Sequence, residues 1–370
     1  MNEHQLNQHE LRVPEVMKVH HEEEVFPSIY PCPEFMKAAG ISQDFHTLIS
    51  NAGLEHFVGD EPYQYVKLTM SVVQNFQFSW SLPNPMVHYK IYNIAIGLPF
   101  DDFCAAIKVP QWGSCERIRE QPTPLVDLYA EICQGSSFSK ESGKIHNIHL
   151  PSIRYFAYFI AKCVLARKTA SKLSSYDLAF ISAALKQDRT YNLGALIAFH
   201  LAANREKGGI CGGLIASRLL ALHGVAPHHS ELQFPIERFD LNSMIQHKFV
   251  SSWANLSDLS YEITFLKSGW IRGKSERVVL LPAPVLFNLD TRVGWSLTEE
   301  EIDTYLEELS QQEQNAGREV EYDSVQPSNE GESSYQQPAY DWGVSSSSQG
   351  PEHDHFYDDP PAWSSYPRWG

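Results

Sequence analysis

The chain has 370 residues, of which 43% are hydrophobic, 12% aromatic and 20% charged. This composition can form a buried core, and it excludes a collagen-like protein, a wholly disordered protein and a disulfide scaffold. Most of the net charge of −16 belongs to residues 299–370, which contain 17 acidic and only two basic residues. The body that precedes them is nearly neutral, so it shows no general preference for nucleic-acid phosphates, although a local basic patch is compatible with it.

The N-terminal segment, residues 1–24, is polar and rich in Glu and His. It predicts a disordered or loosely helical acidic lead-in that lacks the apolar core of a signal peptide. The six cysteines include no C-x-x-C pair, which is typical of reduced thiols inside the cell. No apolar stretch is long enough to cross a bilayer. We therefore expect an intracellular protein of the cytoplasm or nucleus, neither secreted nor membrane-bound.

The first part of the body predicts short helices around a small β-hairpin. Apolar residues recur at helical spacing in four segments: 34–39, 43–51, 65–76 and 101–107. Residues 85–92 instead alternate as a β-strand does, with Val87, Tyr89 and Ile91 on one face, and residues 94–98 can pair back on them. The sequence therefore predicts a hairpin that leads directly into a helix.

The centre of the chain is more uniformly helical. Five further helices are predicted from apolar periodicity and capping residues, over 153–168, 175–186, 192–204, 210–223 and 240–248. Ser152 is the expected N-cap of the first of these helices, and Arg167 and Lys168 give it a basic C-terminus. Residues 276–289 look extended. The predicted fold class is mainly α: a multi-helix globular body with a small β-hairpin, plus a disordered acidic C-terminal tail.

An amphipathic helix is predicted where the body ends. Thr298 and Glu301 spell a capping box. Its apolar face has residues at i, i+3, i+4 and i+7, namely Ile302, Tyr305, Leu306 and Leu309. Two uses of this face are open: a coiled-coil-like contact with a second copy of the chain, or packing on the body.

Beyond this helix the composition changes to Ser, Gln, Pro, Glu and Asp, which predicts disorder. The expected organisation is therefore a lead-in over 1–24, a mostly helical domain over 25–298, the amphipathic helix over 299–317, and a disordered tail over 318–370.

No motif in the chain supports a catalytic or metal site. The Gly-rich segment 208–213 lacks the Lys of a phosphate loop, so a turn into a tightly packed helix explains it better. The His pairs, such as His146 and His149, lack the spacing of a zinc site. Cys115 could pair with a distant His as a nucleophile, but an inert thiol is the simpler interpretation. The S-x-x-K match at 137–140 lacks its companion motifs. We predict a protein that is not an enzyme and that holds no cofactor or metal.

One window does favour nucleic acid. Residues 142–176 contain six basic residues and no acidic one. The candidate nucleic-acid-binding residues are Arg154, Tyr158, Lys162, Arg167 and Lys168. The first three fall at i, i+4 and i+8 on one stripe of the predicted helix, which could hold a phosphate backbone with a ring against a base. The alternative is an ordinary solvated face above a buried one, because the patch is small for strong phosphate binding.

Several segments between residues 33 and 250 occur in a recognisable order. They are the pattern from Ala39 to Leu54, YVKLTM at 65–70, HYKIYNIAIGLPFDDFCAAIKVP at 88–110, Ile153-Arg154-Tyr155, the Asn192 to Leu196 helix, and Ile210 to Ile215. In this order they resemble the first open reading frame of the Athila-type plant retrotransposon family, a gag-like protein.

The resemblance implies a non-enzymatic structural protein that assembles with itself, comparable by position to the capsid polyprotein of a long-terminal-repeat element. It assigns no catalytic residue. The zinc-knuckle spacing that commonly ends a gag protein is missing from this sequence, so we expect a truncated or domesticated copy. As the alternative function, the basic helix around 154–172 would make the chain a module that binds RNA or DNA weakly.

Overall fold

Helices make up about half of the residues that the structure describes. In this computed structural model the described residues are 25–59, 63–80, 83–115, 118, 122–133, 143–204, 210–227, 231–266, 276–282, 289, 300, 302–308 and 310–311. The α-helices are α1 (Pro33–Ala38), α2 (Ser42–Ala52), α3 (His56–Gly59), α4 (Val66–Gln74), α5 (Phe100–Ile107), α6 (Thr123–Ile132), α7 (Pro151–Phe159), α8 (Ser175–Lys186), α9 (Leu193–Asn204), α10 (Gly213–Leu222) and α11 (Leu241–Gln246). The strands are β1 (Gln77–Ser79), β2 (Met86–Ile91), β3 (Ile94–Pro99), β4 (Ser260–Leu266) and β5 (Glu276–Pro282).

The core is centred on aromatic side chains of α1, α2 and α7. The Phe45 ring of α2 makes edge contacts with the rings of Tyr155 and Phe159 on α7, at centroid distances of 5.3 and 5.6 Å. Tyr155 also stacks on Phe35 of α1 at 5.8 Å, and every residue of α7 is buried. Aromatic pairs of this geometry add about 1 kcal/mol each to the area they bury. Helix α7 is therefore the central element of the body.

The prediction of one long helix over 153–168 is wrong in two respects. Helix α7 begins at Pro151, whose fixed φ suits the first helical position, so Ser152 lies inside the first turn and is not the N-cap. The chain then widens into a π-helix, Ile160–Val164, in which the Leu165 amide donates to the Ile160 carbonyl at 2.8 Å. Ala166, with a φ of 51°, ends the helix before Lys168.

The predicted hairpin is confirmed as part of a three-stranded antiparallel sheet with the order β1-β2-β3. Ile91 pairs with Ile94 across the turn, and Val87 pairs with Leu98. Val87, Tyr89 and Ile91 face the core, as their alternation predicts. Strand β1 was not predicted, because three residues directly after a helix give too short a pattern to recognise.

The second sheet joins β4 and β5 in an antiparallel pair, from Ser260 opposite Pro282 to Leu266 opposite Glu276. The extended conformation predicted for the start of 276–289 is therefore confirmed. Its partner β4 was not predicted. A short 3-10 helix, Ile145–Asn147, precedes α7. The mainly α fold class is confirmed for the described residues.

Three predicted helix starts are confirmed by their caps. The Asn192 Oδ1 accepts a hydrogen bond from the Ala195 amide at 2.9 Å, and the Asp240 Oδ1 accepts from the Ser243 amide at 2.8 Å. Helix α8 has a full capping box, in which the Asp177 Oδ2 accepts from the Ser174 amide at 2.6 Å and the Ser174 Oγ accepts from the Asp177 amide. Such caps satisfy backbone amides that the first helical turn leaves unpaired.

Replacing Ser174 by Ala is expected to lower the free energy of unfolding by about 1 kcal/mol, because the Asp177 amide loses its acceptor. Urea unfolding followed by circular dichroism measures the change. Ser175→Ala, one position later inside the helix, is the matched control and should change stability by less than about 0.5 kcal/mol. Equal losses in the two variants would contradict the cap.

The described residues belong to a unit that extends to Gln312. None of the described helices combines the length and apolarity of a membrane span. The predicted lead-in over 1–24 and tail over 318–370 lie outside the described residues, as do Thr298 and Glu301. The predicted domain boundaries stay predictions.

Candidate functional site

Arg154, the first residue of the predicted basic stripe, lies in the interior and is 2% exposed. Its guanidinium donates to the backbone carbonyl of Glu262 at 2.6 Å and to that of Lys248. It also lies over the Phe249 ring, 5.1 Å from the centroid. Burial lowers the pKa of Arg154 from its ordinary value. The side chain thus ties α7 to the turn after α11 and to strand β4.

Tyr158, one turn further along α7, also ties this helix to the segment after α11. It is 3% exposed, and its hydroxyl donates to the carbonyl of His247 at 3.0 Å. Its ring meets the His247 imidazole edge-on at 4.8 Å. The prediction that Arg154 and Tyr158 form a surface for a phosphate backbone is therefore corrected: the chain after α11 covers this helix face.

The last three predicted residues have different environments. The Lys162 ammonium donates to the Lys168 carbonyl at 2.5 Å, and burial lowers the pKa of Lys162. Arg167 forms an ion pair with the buried carboxylate of Asp177 at 2.8 Å and also donates to the Lys172 carbonyl at 2.9 Å. The Lys168 side chain is exposed, with its ammonium 4.8 Å from the Phe26 ring centroid. Lys168 is therefore the one member of the five that is exposed, whereas Lys162 and Arg167 are partly buried.

The apolar face predicted for residues 302–309 packs on the body. Ile302 is fully buried, and Tyr305 and Leu306 are partly buried against the core. Leu309 lies outside the described residues. Of the two uses left open by the sequence, the structure shows packing on the body for these three side chains, and it corrects their assignment as an exposed contact for a second copy.

The cysteine and histidine candidates do not converge on a site. Within the described ranges, no group of three or more His, Cys, Asp or Glu side chains could hold a metal ion. The six cysteines are free thiols, and only Cys115 is partly exposed. Burial raises the pKa of Cys104, Cys115 and Cys133, which disfavours the nucleophilic thiolate. The S-x-x-K match at 137–140 lies outside the described residues, as do two further His residues of the predicted tail, His353 and His355.

At pH 8 a disulfide reagent such as DTNB is expected to modify Cys115 first and slowly, because the other five thiols are buried and a raised pKa reduces the thiolate at any pH below it. The rate should rise with pH, and all six thiols should react in urea. Cys115→Ser should remove the first phase. Rapid modification of Cys104 or Cys133 in the native protein would contradict the burial described here.

Part of the Gly-rich segment has a packing role that the sequence did not specify. The buried Gln64 side chain holds both backbone groups of Ser28, accepting from its amide at 2.7 Å and donating to its carbonyl at 3.0 Å. A Cβ on Gly213 would lie 2.9 Å from the Gln64 Cβ, so only glycine lets α10 approach this closely. Gly208 and Gly209 lie outside the described residues.

One face of the three-stranded sheet is open in the part of the chain that the structure describes. A shallow depression of about 400 Å³ lies there, lined by residues that include Asn75, Gln77, His88 and Lys90. Beside it, strand β3 forms the edge of the sheet, and its Ile94 is 40% exposed. An edge strand can accept a further strand through its backbone groups. This edge is the candidate assembly surface.

Comparison with known proteins matches the chain to a protein family. A family model described as the ATHILA ORF-1 family matches residues 2–192, just over half of the 370 residues. The matched segment includes α1–α8 and the three-stranded sheet, and it ends where α9 begins. No curated protein and no solved structure matches the chain.

Proposed function

Because the chain belongs to the ATHILA ORF-1 family, we propose that this first-open-reading-frame protein of an Athila-type retrotransposon is a gag-like structural protein that assembles with itself. The family match is the observation that carries the proposal. It confirms the resemblance drawn from the order of the sequence segments, and it covers the three-stranded sheet whose edge is open. The role is non-enzymatic and consists of building a particle from copies of the chain.

Light scattering of the full chain, across concentration and ionic strength, tests the proposal. We expect the mass to rise from that of a small oligomer to large assemblies as the concentration increases. A monomer at every concentration and ionic strength would overturn it. Leu306→Asp is the control for the apolar face of residues 302–309. Because Leu306 packs on the body, this change should lower the melting temperature before it lowers the mass of the assemblies.

Nucleic-acid binding is a second candidate, favoured by a basic surface different from the predicted stripe. A backbone bridge joins Lys144 to Lys172, and the Lys168 and Lys172 side chains are both exposed. Three lysines on adjacent segments could contact consecutive phosphates. Lys168 and Lys172 lie on the loop that follows the π-helix. Arg154 and Tyr158 of α7, in contrast, are buried and bond to other parts of the body.

Salt-dependent RNA binding tests this candidate. Changing Lys168 and Lys172 together to Glu is expected to reduce the slope of log affinity against log salt by about two, because two phosphates are then no longer neutralised. Lys37 and Lys67 are exposed on other helices, so their double change to Glu is the control. An unaltered slope in the first variant, or equal changes in both variants, would argue against this surface.

A further inference from the structure

Strand β3 has an outer edge that no strand of the described residues covers. Its six residues, Ile-Ala-Ile-Gly-Leu-Pro, carry no charge. Proteins commonly protect such edges with Lys, with bulges or with a covering segment, because an apolar unpaired edge recruits another strand. The composition of β3 is therefore that of a strand that pairs.

The turn fixes which backbone groups of β3 point outward. Tyr92 and Asn93 form a two-residue connection between the paired Ile91 and Ile94, and such a hairpin closes on a hydrogen-bonded pair. In an antiparallel ladder these pairs alternate with non-hydrogen-bonded ones. Ile94 and every second residue after it therefore bond to β2, whereas the amide and carbonyl groups of Ala95 and Gly97 point away from the sheet.

We infer that β3 pairs with β3 of a second copy of the chain, antiparallel across a two-fold axis at Ile96. In this register the amides of Ala95 in one copy and Gly97 in the other each donate to the carbonyl of the opposite residue, which gives two hydrogen bonds. The two-fold axis generates the same pair of bonds on its other side, so the interface has four. Ile96 then lies opposite Ile96 of the second copy, in a non-hydrogen-bonded position. The two sheets become one six-stranded sheet.

The side chains of β3 are self-complementary in this register. Ile94 lies opposite Leu98 of the second copy, on the face that carries Val87 and Tyr89, so an apolar side chain covers the 40% exposed Ile94. The small residues Ala95 and Gly97 lie opposite each other on the other face. Pro99, which lacks an amide, falls outside the four bonds. A two-fold contact requires this kind of self-matching surface, and a second copy is therefore the occupant we infer.

This interface rests on the proposed assembly function and identifies its contact surface. A cysteine cross-link in the full chain tests the register. Opposed non-hydrogen-bonded residues have Cα atoms about 4.5 Å apart, which suits a disulfide, so Ile96→Cys should give a covalent dimer under mild oxidation. In the same register, Ile94 of one copy lies four residues, or about 13 Å, from Ile94 of the other. Ile94→Cys, the matched control, should stay monomeric on the same non-reducing gel.

A second variant tests the backbone pairing. Ala95→Pro removes an outward amide without removing a bond to β2, and it should raise the concentration needed for assembly about tenfold or more. Ala95→Ser retains the amide and should assemble as the unaltered chain does.

The outcomes separate the inference from the function on which it rests. Cross-linking through Ile96→Cys alone, together with loss of assembly in Ala95→Pro, supports the interface. Assembly of the unaltered chain without selective cross-linking at position 96 overturns the interface and leaves the proposed function standing. A monomeric unaltered chain overturns both.

Discussion

Replacing Arg154 by Met is expected to lower the free energy of unfolding by about 3 kcal/mol. The change removes a guanidinium that donates to the carbonyls of Glu262 and Lys248 in the interior. Each buried acceptor left without a donor costs about 1–3 kcal/mol, and Met fills only part of the space. Urea unfolding of the full chain measures the loss.

Lys168→Met is the matched control for Arg154, because it removes a positive charge from the same set of candidate nucleic-acid-binding residues but at an exposed position. It should change the free energy of unfolding by less than about 0.5 kcal/mol. A similar loss in both variants would show that Arg154 acts through general charge and not through its buried hydrogen bonds. The comparison also matters for nucleic-acid experiments, since reversing the charge at Arg154 would unfold the body before it tested binding.

Gly113→Ala is expected to cost about 3 kcal/mol, for two reasons that act together. The residue has a φ of 77°, where a side chain is strained. A Cβ there would also lie 2.6 Å from the Tyr191 carbonyl carbon and 2.5 Å from the Arg189 carbonyl oxygen. These backbone atoms belong to the bridge between Ser114 and Tyr191 that precedes the Asn192 cap, so a shift would disturb the start of α9.

Gly224 distinguishes the strain of a positive φ from the crowding around Gly113. Its φ of 62° is also in the left-handed region, but no atom lies within 4 Å of the position that a Cβ would take. Gly224→Ala should therefore cost only the strain of the left-handed conformation, about 1 kcal/mol. Chemical denaturation of the two variants gives the comparison. Equal losses would mean that crowding by the Tyr191 backbone contributes nothing at Gly113.

The elements that local chemistry determines were predictable from the sequence. Helix α8 was predicted at its observed bounds, and its capping box is formed within four consecutive residues. The position of Val87, Tyr89 and Ile91 on one face of the sheet follows from strand alternation alone. Each of these features depends on neighbours in the chain, which is why a pattern of a few residues suffices.

The predicted stripe failed because its environment is set by distant residues. Helical periodicity places Arg154, Tyr158 and Lys162 on one face whether that face meets water or protein. The groups that cover it, around His247 and Glu262, follow about a hundred residues later. The open edge of β3 was missed for the same reason, since the composition of a strand does not tell how many neighbours it has. A charge-free hairpin strand is the one signal that could have indicated it.

The pairing of the N-terminal segment with distant parts of the chain has a consequence for synthesis. The Phe26 amide donates to the Ile210 carbonyl at 2.8 Å, and the Tyr30 amide donates to the Glu237 carbonyl at 2.9 Å. A ribosome releases the N-terminal partners long before the later ones exist, so Tyr30 and its neighbours wait in the nascent chain with their apolar surface uncovered. The contact of Tyr30 with Glu237 can form only after a further 207 residues have been translated. The N-terminal part of the body therefore folds well after its own translation, and chaperones that bind nascent chains are expected to meet it before a second copy does.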